Sequence, residues 1–274
     1  VTKVSIASQK GGAGKTTVAV NLAHALARRG WSVLLADADP QGAVGLSLVE
    51  RGFEHRGFFD ALLGDDPAGL VLHTRVPGLS LLPSGPYPRF EASPLAASPA
   101  ARRERIGAVL DSLAHLRPGF DLVLVDTAGG THSVTGDVLW HSDRVLIPEL
   151  AEPLGLRTLP QILHLLAELR AKEPPVRVLG ILPTMVQPDV PASADVVRKL
   201  REILPRELLF DAAIPRDPLF LRASEHGLPV ALLSAQPVPL SFVFDQLAAE
   251  VEHRLGLVPA TPAPPDDAYA RILD

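Results

Sequence analysis

The chain has 274 residues, 47% hydrophobic and 21% charged, enough to build a packed core in one large or two small domains. A net charge of −5 gives no global pull toward nucleic acid, so any such binding must come from a local patch. The absence of cysteine excludes disulfides and thiolate-held zinc or iron–sulfur centres; with no apolar run of ~18 residues and no signal-peptide layout, the expected location is the cytoplasm.

Residues 3 to 8 read as a buried strand, and 16 to 29 as a helix with an apolar stripe at Val18, Leu22, Ala25 and Leu26, stopped by Gly30. Between them runs Ser8-Gln9-Lys10-Gly11-Gly12-Ala13-Gly14-Lys15-Thr16-Thr17. A strand that ends in a glycine-rich turn and opens a helix brings backbone N–H groups and the positive end of the helix dipole onto one point, which suits phosphate. Lys15 is placed to reach the β- and γ-phosphates, and the Thr16 hydroxyl to ligate Mg²⁺.

The ordinary pattern G-x-x-x-x-G-K-[ST] puts its first glycine at position 9, which here is Gln9. The segment Lys10-Gly11-Gly12-Ala13-Gly14-Lys15-Thr16 is instead the deviant Walker A motif. In it the chain resembles the ParA/MinD/Soj family of ATPases, most of all the ParA/Soj chromosome or plasmid partition ATPases. The resemblance implies that Gly11 to Thr17 cradle the phosphates of ATP. It also implies that Lys10 reaches across a dimer interface to the partner's nucleotide, the trans-acting logic of an arginine finger.

The second strand, Ser32 to Ala36, ends in Asp37-Ala38-Asp39-Pro40-Gln41-Gly42. Carboxylates there face the ligand side of a doubly wound sheet. By resemblance Asp39 orients the attacking water, and Asp37 lies nearer the Mg²⁺ shell. A short helix is expected over Phe58 to Gly64 and a short strand over Leu79 to Pro83. Residues Pro83 to Ala100, rich in Pro, Ala and Ser, read as a long surface excursion, and Arg102, Arg103 and Arg105 as the solvated face of a helix start.

Asp121-Leu122-Val123-Leu124-Val125-Asp126 is a Walker B pattern, with Asp126 placed to hold a water of Mg²⁺. The family's Thr-Pro-Pro is replaced by Thr127-Ala128-Gly129-Gly130, which predicts a more flexible γ-phosphate sensor; His132 reads as a polar loop residue. Further strands are expected at Arg144 to Ile147 and Val176 to Leu182, and helices at Leu156 to Ala171, Ala194 to Leu204 and Leu240 to Leu255. After Thr184 the guanine-reading N-K-x-D is missing, which favours adenine, with Met185 expected at the nucleotide.

Ile214-Pro215-Arg216-Asp217 matches the family turn that lines the adenine pocket, so Pro215, Arg216 and Asp217 are carried over as base contacts. The family arginine implicated in non-specific DNA contact falls on Leu219. Arg222 offers a substitute, and Arg198, Lys199, Arg201 and Arg206 a local patch; a solvated helix face accounts for them equally well. The last helix exposes Asp245, Glu250 and Glu252, unlike the basic lipid-binding helix of MinD-like relatives, so no membrane attachment is expected by that route.

Alternating strands and helices predict a doubly wound α/β fold, mostly parallel with helices on both faces. Residues 1–257 read as one P-loop ATPase domain, and 258–274 as a disordered Pro/Ala-rich tail. The expected protein is an ATP hydrolase using ATP and Mg²⁺, weak alone and stimulated by a ParB-like centromere-binding partner. It dimerises on ATP and binds DNA non-specifically in that state, which places it at the nucleoid. The alternative is a non-DNA-binding positioning or regulatory ATPase acting on a protein cargo. Small-molecule kinases, ligases and metallochaperones share the loop, but metallochaperone chemistry needs the missing cysteines.

Overall fold

Short aliphatic runs, buried on both faces, set the frame of the computed structural model, which describes residues 1–48, 55–117, 119–130, 133–153, 155–169 and 176–258. They form β1 (Thr2–Ile6), β2 (Val33–Ala38), β3 (Leu72–His73), β4 (Leu79–Leu82), β5 (Leu122–Thr127), β6 (Arg144–Leu150) and β7 (Arg177–Thr184). The sheet order is β3-β4-β2-β5-β1-β6-β7, parallel throughout except where β3 pairs with β4. This is the doubly wound arrangement expected from the alternation of strands and helices.

Strand periodicity sends alternate side chains to opposite faces. Val33 and Leu35 join Val4, Ile6, Leu122 and Leu124 against α1 (Lys15–Arg28) and the C-terminal helix (Pro239–Leu255). Leu34, Ala36, Val123 and Val125 face the other way, onto α3 (Phe58–Leu62) and α6 (Pro99–Ala114), α2 being Ala43–Leu48. Toward the far edge Val145, Ile147 and Ile181 pack on α8 (Gly155–Leu169) and α9 (Pro191–Ile203). Each fully buried aliphatic side chain of this kind stabilises the fold by roughly 1.5–3 kcal/mol.

Three sequence expectations are corrected. The stretch from Pro83 to Ala100 is not an open excursion: it folds into α4 (Tyr87–Glu91), α5 (Pro94–Ala97) and the start of α6. Pro88, Pro94 and Pro99 stand in the first turns of these helices, where the missing N–H costs nothing, and Phe90 is buried against Phe59, with ring centroids 5.2 Å apart.

The arginines after it are not a solvated face. Arg102, 6% exposed, donates to Asp137 Oδ2 at 2.7 Å and to the Ala96 carbonyl at 2.7 Å. Arg103 donates to Asp137 Oδ1 at 2.9 Å and stacks 4.1 Å over Trp140, while Arg105 holds the carbonyls of Ala61 and Leu62. Asp137 lies on α7 (Ser133–Trp140), a helix not anticipated.

Nor is Glu252 exposed. It accepts from Arg29 at both oxygens, 2.6 Å each, and from Trp31 Nε1 at 2.8 Å, clamping the end of α1 to the C-terminal helix. Glu250 accepts the N–H groups of Asp211 and Ala212, so two of the three acids singled out on that helix are structural. Of the expected segments, residues 170–171 of the helix begun at Leu156, His132, and 259–274 of the tail lie outside the described residues.

Candidate nucleotide site

Strand register assembles the site. β1 and β2 flank β5, and Asp126 is the partner of both Ile6 and Asp37. The loop after β1 therefore emerges beside two carboxylates at the C-terminal edge of the sheet, where open α/β sheets bind ligands. Gly14, at φ 78°, turns the chain into α1, which has no capping side chain and no acid in its first turn. Its first N–H groups and dipole are thus free to face an anion.

A cavity of about 1010 Å³ opens over this loop. Gln9, Gly11, Gly12, Gly14, Lys15, Thr16 and Thr17 form its floor; Asp39, Gln41, Gly129 and Met185 stand at its walls. Ala13 is buried beneath, its carbonyl accepting from the Thr184 hydroxyl at 3.0 Å. Lys15 is 7% exposed and lines the cavity, whereas the Lys10 side chain, 30% exposed, does not line it.

The Thr16 hydroxyl donates to Asp126 Oδ2 at 2.6 Å, and the other carboxylate oxygen, Oδ1, is buried without a partner. Burial pushes Asp126 up to about 7, opposed by the Thr16 hydrogen bond and the Lys15 charge. An orphaned carboxylate oxygen beside a hydroxyl fits a divalent cation that takes few protein ligands and completes its shell with phosphate and water.

Asp37 is fully buried and its oxygens accept the N–H groups of Asp39 and Val44, both at 3.0 Å. Burial and the neighbouring Asp126 hold it well above the usual carboxylate range. In this geometry it shapes the turn that presents Asp39, which lines the cavity with Oδ1 accepting from Gln41 N–H at 2.9 Å.

The Ala128-Gly129-Gly130 segment lies against the phosphate loop. Gly130 donates to the Ser8 carbonyl at 3.0 Å with φ at +80°, and a Cβ on Gly129 would lie 3.2 Å from Lys15 Nζ. Proline, lacking an N–H and fixed near φ −65°, does not fit position 130 in this conformation. Here glycine permits close approach to the loop.

Met185, the one non-glycine residue at positive φ among those described, leans over the loop, its Cε 3.8 Å from where a Gly14 Cβ would be. The following Val186 pairs with Pro215, so the Pro215–Asp217 turn adjoins the site. Pro215, Arg216 and Asp217 do not line the cavity; Asp217 instead caps α10 (Leu219–Glu225) through the Leu219 N–H at 2.8 Å.

Arg198, Lys199, Arg201, Arg206 and Arg222 are all exposed and none lines the cavity. Arg198 is neutralised within its own helix by Asp195 at 2.8 Å and Glu202 at 3.1 Å. Sequence reasoning missed Tyr87, Pro88 and Glu91, which form a cavity wall from the corrected segment, and Glu149 and Glu152 beside Lys10.

Burial pushes the Glu149 carboxyl from its usual 4.5 up to about 7, against the pull of Lys10. Between those values the folded chain holds a proton that the unfolded chain has released, so stability falls as pH rises through the window. Glu149→Gln is expected to stabilise the fold at pH 8 by as much as ~3 kcal/mol and to lose that gain below pH 4.5. Urea unfolding at the two pH values measures it; an equal gain at both would contradict the assignment.

The sheet order, the capless helix and the two ammonium groups on one loop define a P-loop nucleotide-binding protein of the deviant Walker A type. Residues 4–230 match the CobQ/CobB/MinD/ParA nucleotide binding domain, and the chain belongs to that family. It is 37% identical over 256 residues to the chromosome-partitioning ATPase Soj of Thermus thermophilus, covering 93% of this chain and 97% of Soj. Among solved structures it resembles cobyrinic acid a,c-diamide synthase of Mycobacterium smegmatis with an ATP analogue and magnesium: TM-score 0.76, 25% identity, 92% of this chain and 95% of that one. A Cyanothece McdA variant in complex with ATP shares the fold, with TM-score 0.76 and 22% identity over 94% and 97% of the two chains. Among the described residues no helix is long and apolar enough to cross a membrane.

Proposed function

We propose that the chain, over residues 1–257, is an ATP-dependent dimerising switch for DNA partition. One observation carries this reading: the loop holds two lysines in different settings. Lys15 is buried and lines the cavity over its own loop, whereas Lys10 is part-exposed and does not line it. One ammonium serves the chain's own nucleotide, and the other is placed for a neighbour's. The match to Soj over nearly the whole of both chains supports the same reading.

Gly11 to Thr17 bind the phosphates of ATP through backbone N–H groups, with Lys15 neutralising charge on the β- and γ-phosphates. Thr16 and Asp126 hold Mg²⁺, with Asp37 supporting the turn behind them. The ion, when bound, offsets charge on the phosphate oxygens. Asp39 orients the attacking water, Met185 borders the base, and a ParB-like partner stimulates hydrolysis. Asp39→Ala is expected to lower turnover at least ~100-fold while ATP-bound dimers accumulate. A dimer that turns over at the parental rate would contradict the role of Asp39.

The deciding experiment is an electrophoretic shift on random duplex DNA, with and without ATP, at two salt concentrations. The proposal expects retardation only with ATP, weakening steeply with salt as phosphate contacts release counterions. A second reading, a positioning or regulatory ATPase on a protein cargo, is favoured by Leu219, half-buried where the family carries its DNA-contacting arginine, and by the self-neutralised Arg198. No shift at either salt, with ATP-dependent dimers present, decides for that reading.

A further inference from the structure

Lys10 is engaged within its own subunit. Its ammonium lies 3.4 Å from Glu152 Oε2, on the turn after β6, with the two side chains 30% and 42% exposed. Behind them Glu149 ends β6 at only 4% exposure, and the charge acting on it is that of Lys10.

The platform carrying those acids is fixed to the phosphate loop. The Thr184 hydroxyl donates to the Ala13 carbonyl at 3.0 Å and lies 3.2 Å from the Glu149 carbonyl. Ala151 N–H donates to the Thr184 carbonyl at 2.9 Å, and Gly155 N–H closes the turn onto the Glu152 carbonyl at 2.8 Å. A Cβ on Gly155 would strike Glu149 Oε1, so residue size there keeps the buried acid in place. The backbone carrying Glu152 is thus tied to the phosphate loop, and the Lys10–Glu152 contact spans the two.

We infer that Glu152 is a positioning residue that holds Lys10 against its own subunit until nucleotide is bound. The inference rests on the trans role proposed above for Lys10. An ammonium held by its own chain is unavailable to a neighbour's phosphates, so pairing of two subunits has to break this contact. The pair thus biases the nucleotide-free protein toward single subunits, and the phosphates of a second subunit must compete with Glu152 for Lys10.

Glu152→Gln tests this in the full chain with two readouts. In the nucleotide-free protein, the acetylation rate of Lys10 by acetic anhydride, followed by mass spectrometry, should rise about two- to fivefold, the range expected for a half-exposed ion pair. Lys199, exposed on α9, serves as internal standard and as a check that the fold is unchanged. With Mg²⁺ present, the ATP concentration giving half-maximal dimer by light scattering should fall by a similar factor.

An unchanged Lys10 rate overturns the inference, and so does a dimer midpoint that stays the same or rises. The reactivity arm uses single subunits without ATP, so it stands apart from the trans role. Failure of that role shows separately, as normal ATP-dependent dimerisation by Lys10→Ala.

Discussion

Lys10→Ala is expected to bind ATP normally and to form no ATP-dependent dimer. The buried Lys15, the capless start of α1 and the Thr16–Asp126 pair all remain, so the chain's own phosphate contacts are kept. What disappears is a part-exposed cation that does not line the chain's own cavity. Trans-acting cations of this kind are worth about 10³–10⁵ in turnover, so hydrolysis should fall by at least ~1000-fold with the loss of pairing. Light scattering with and without ATP reads the first effect and phosphate release the second. A Lys10→Ala protein that still doubles its mass with ATP would refute the dimerising switch.

The largest effect on stability is expected far from that loop, at Asp137. Its carboxylate is 2% exposed as a residue and takes hydrogen bonds from Arg102 at 2.7 Å and Arg103 at 2.9 Å. Asp137→Ala leaves the Arg102 guanidinium buried with no carboxylate partner, which costs about 3–5 kcal/mol. Arg103→Ala, removing the 41% exposed member, should cost under ~1 kcal/mol from the ion pair, plus part of its stacking on Trp140. Replacing both Arg102 and Asp137 by Met and Leu should recover most of the loss, because the penalty resides in the stranded charge. Urea midpoints for the four proteins test this ordering; a mild Asp137→Ala would show that water reaches the guanidinium.

These two sites mark what the sequence made legible. The loop from Lys10 to Thr17 and the strand ends at Asp37 and Asp126 could be read directly, because local residue order fixes their chemistry and strand register does the rest. Arg102 could not: its partner lies thirty-five residues away on a helix that periodicity did not reveal. A run of charge looks solvated until the fold supplies the opposite charge. Glu252 misled through its charge alone: it stands four residues after Ala248, on the buried stripe of its helix, where Arg29 and Trp31 meet it.

The segment around Tyr87 shows a different difficulty. Pro86, Pro94 and Pro99 punctuate it like a coil, yet Pro94 and Pro99 begin helices, and Ser93 caps one through the Ala96 N–H. Reading them as breakers hid a wall of the cavity. Glu149 and Glu152 carry no motif of their own; their relation to Lys10 is made by β6 lying beside β1.

The clamp on Glu252 gives α1 a mechanical character. Its leading end lies under the cavity and its trailing end is gripped by the last helix, about 21 Å away at 1.5 Å per residue over 14 residues. The helix is thereby a strut fastened at both ends. A tug at either is transmitted to the other, so a molecule seizing the outer rim has leverage on the fuel it never touches.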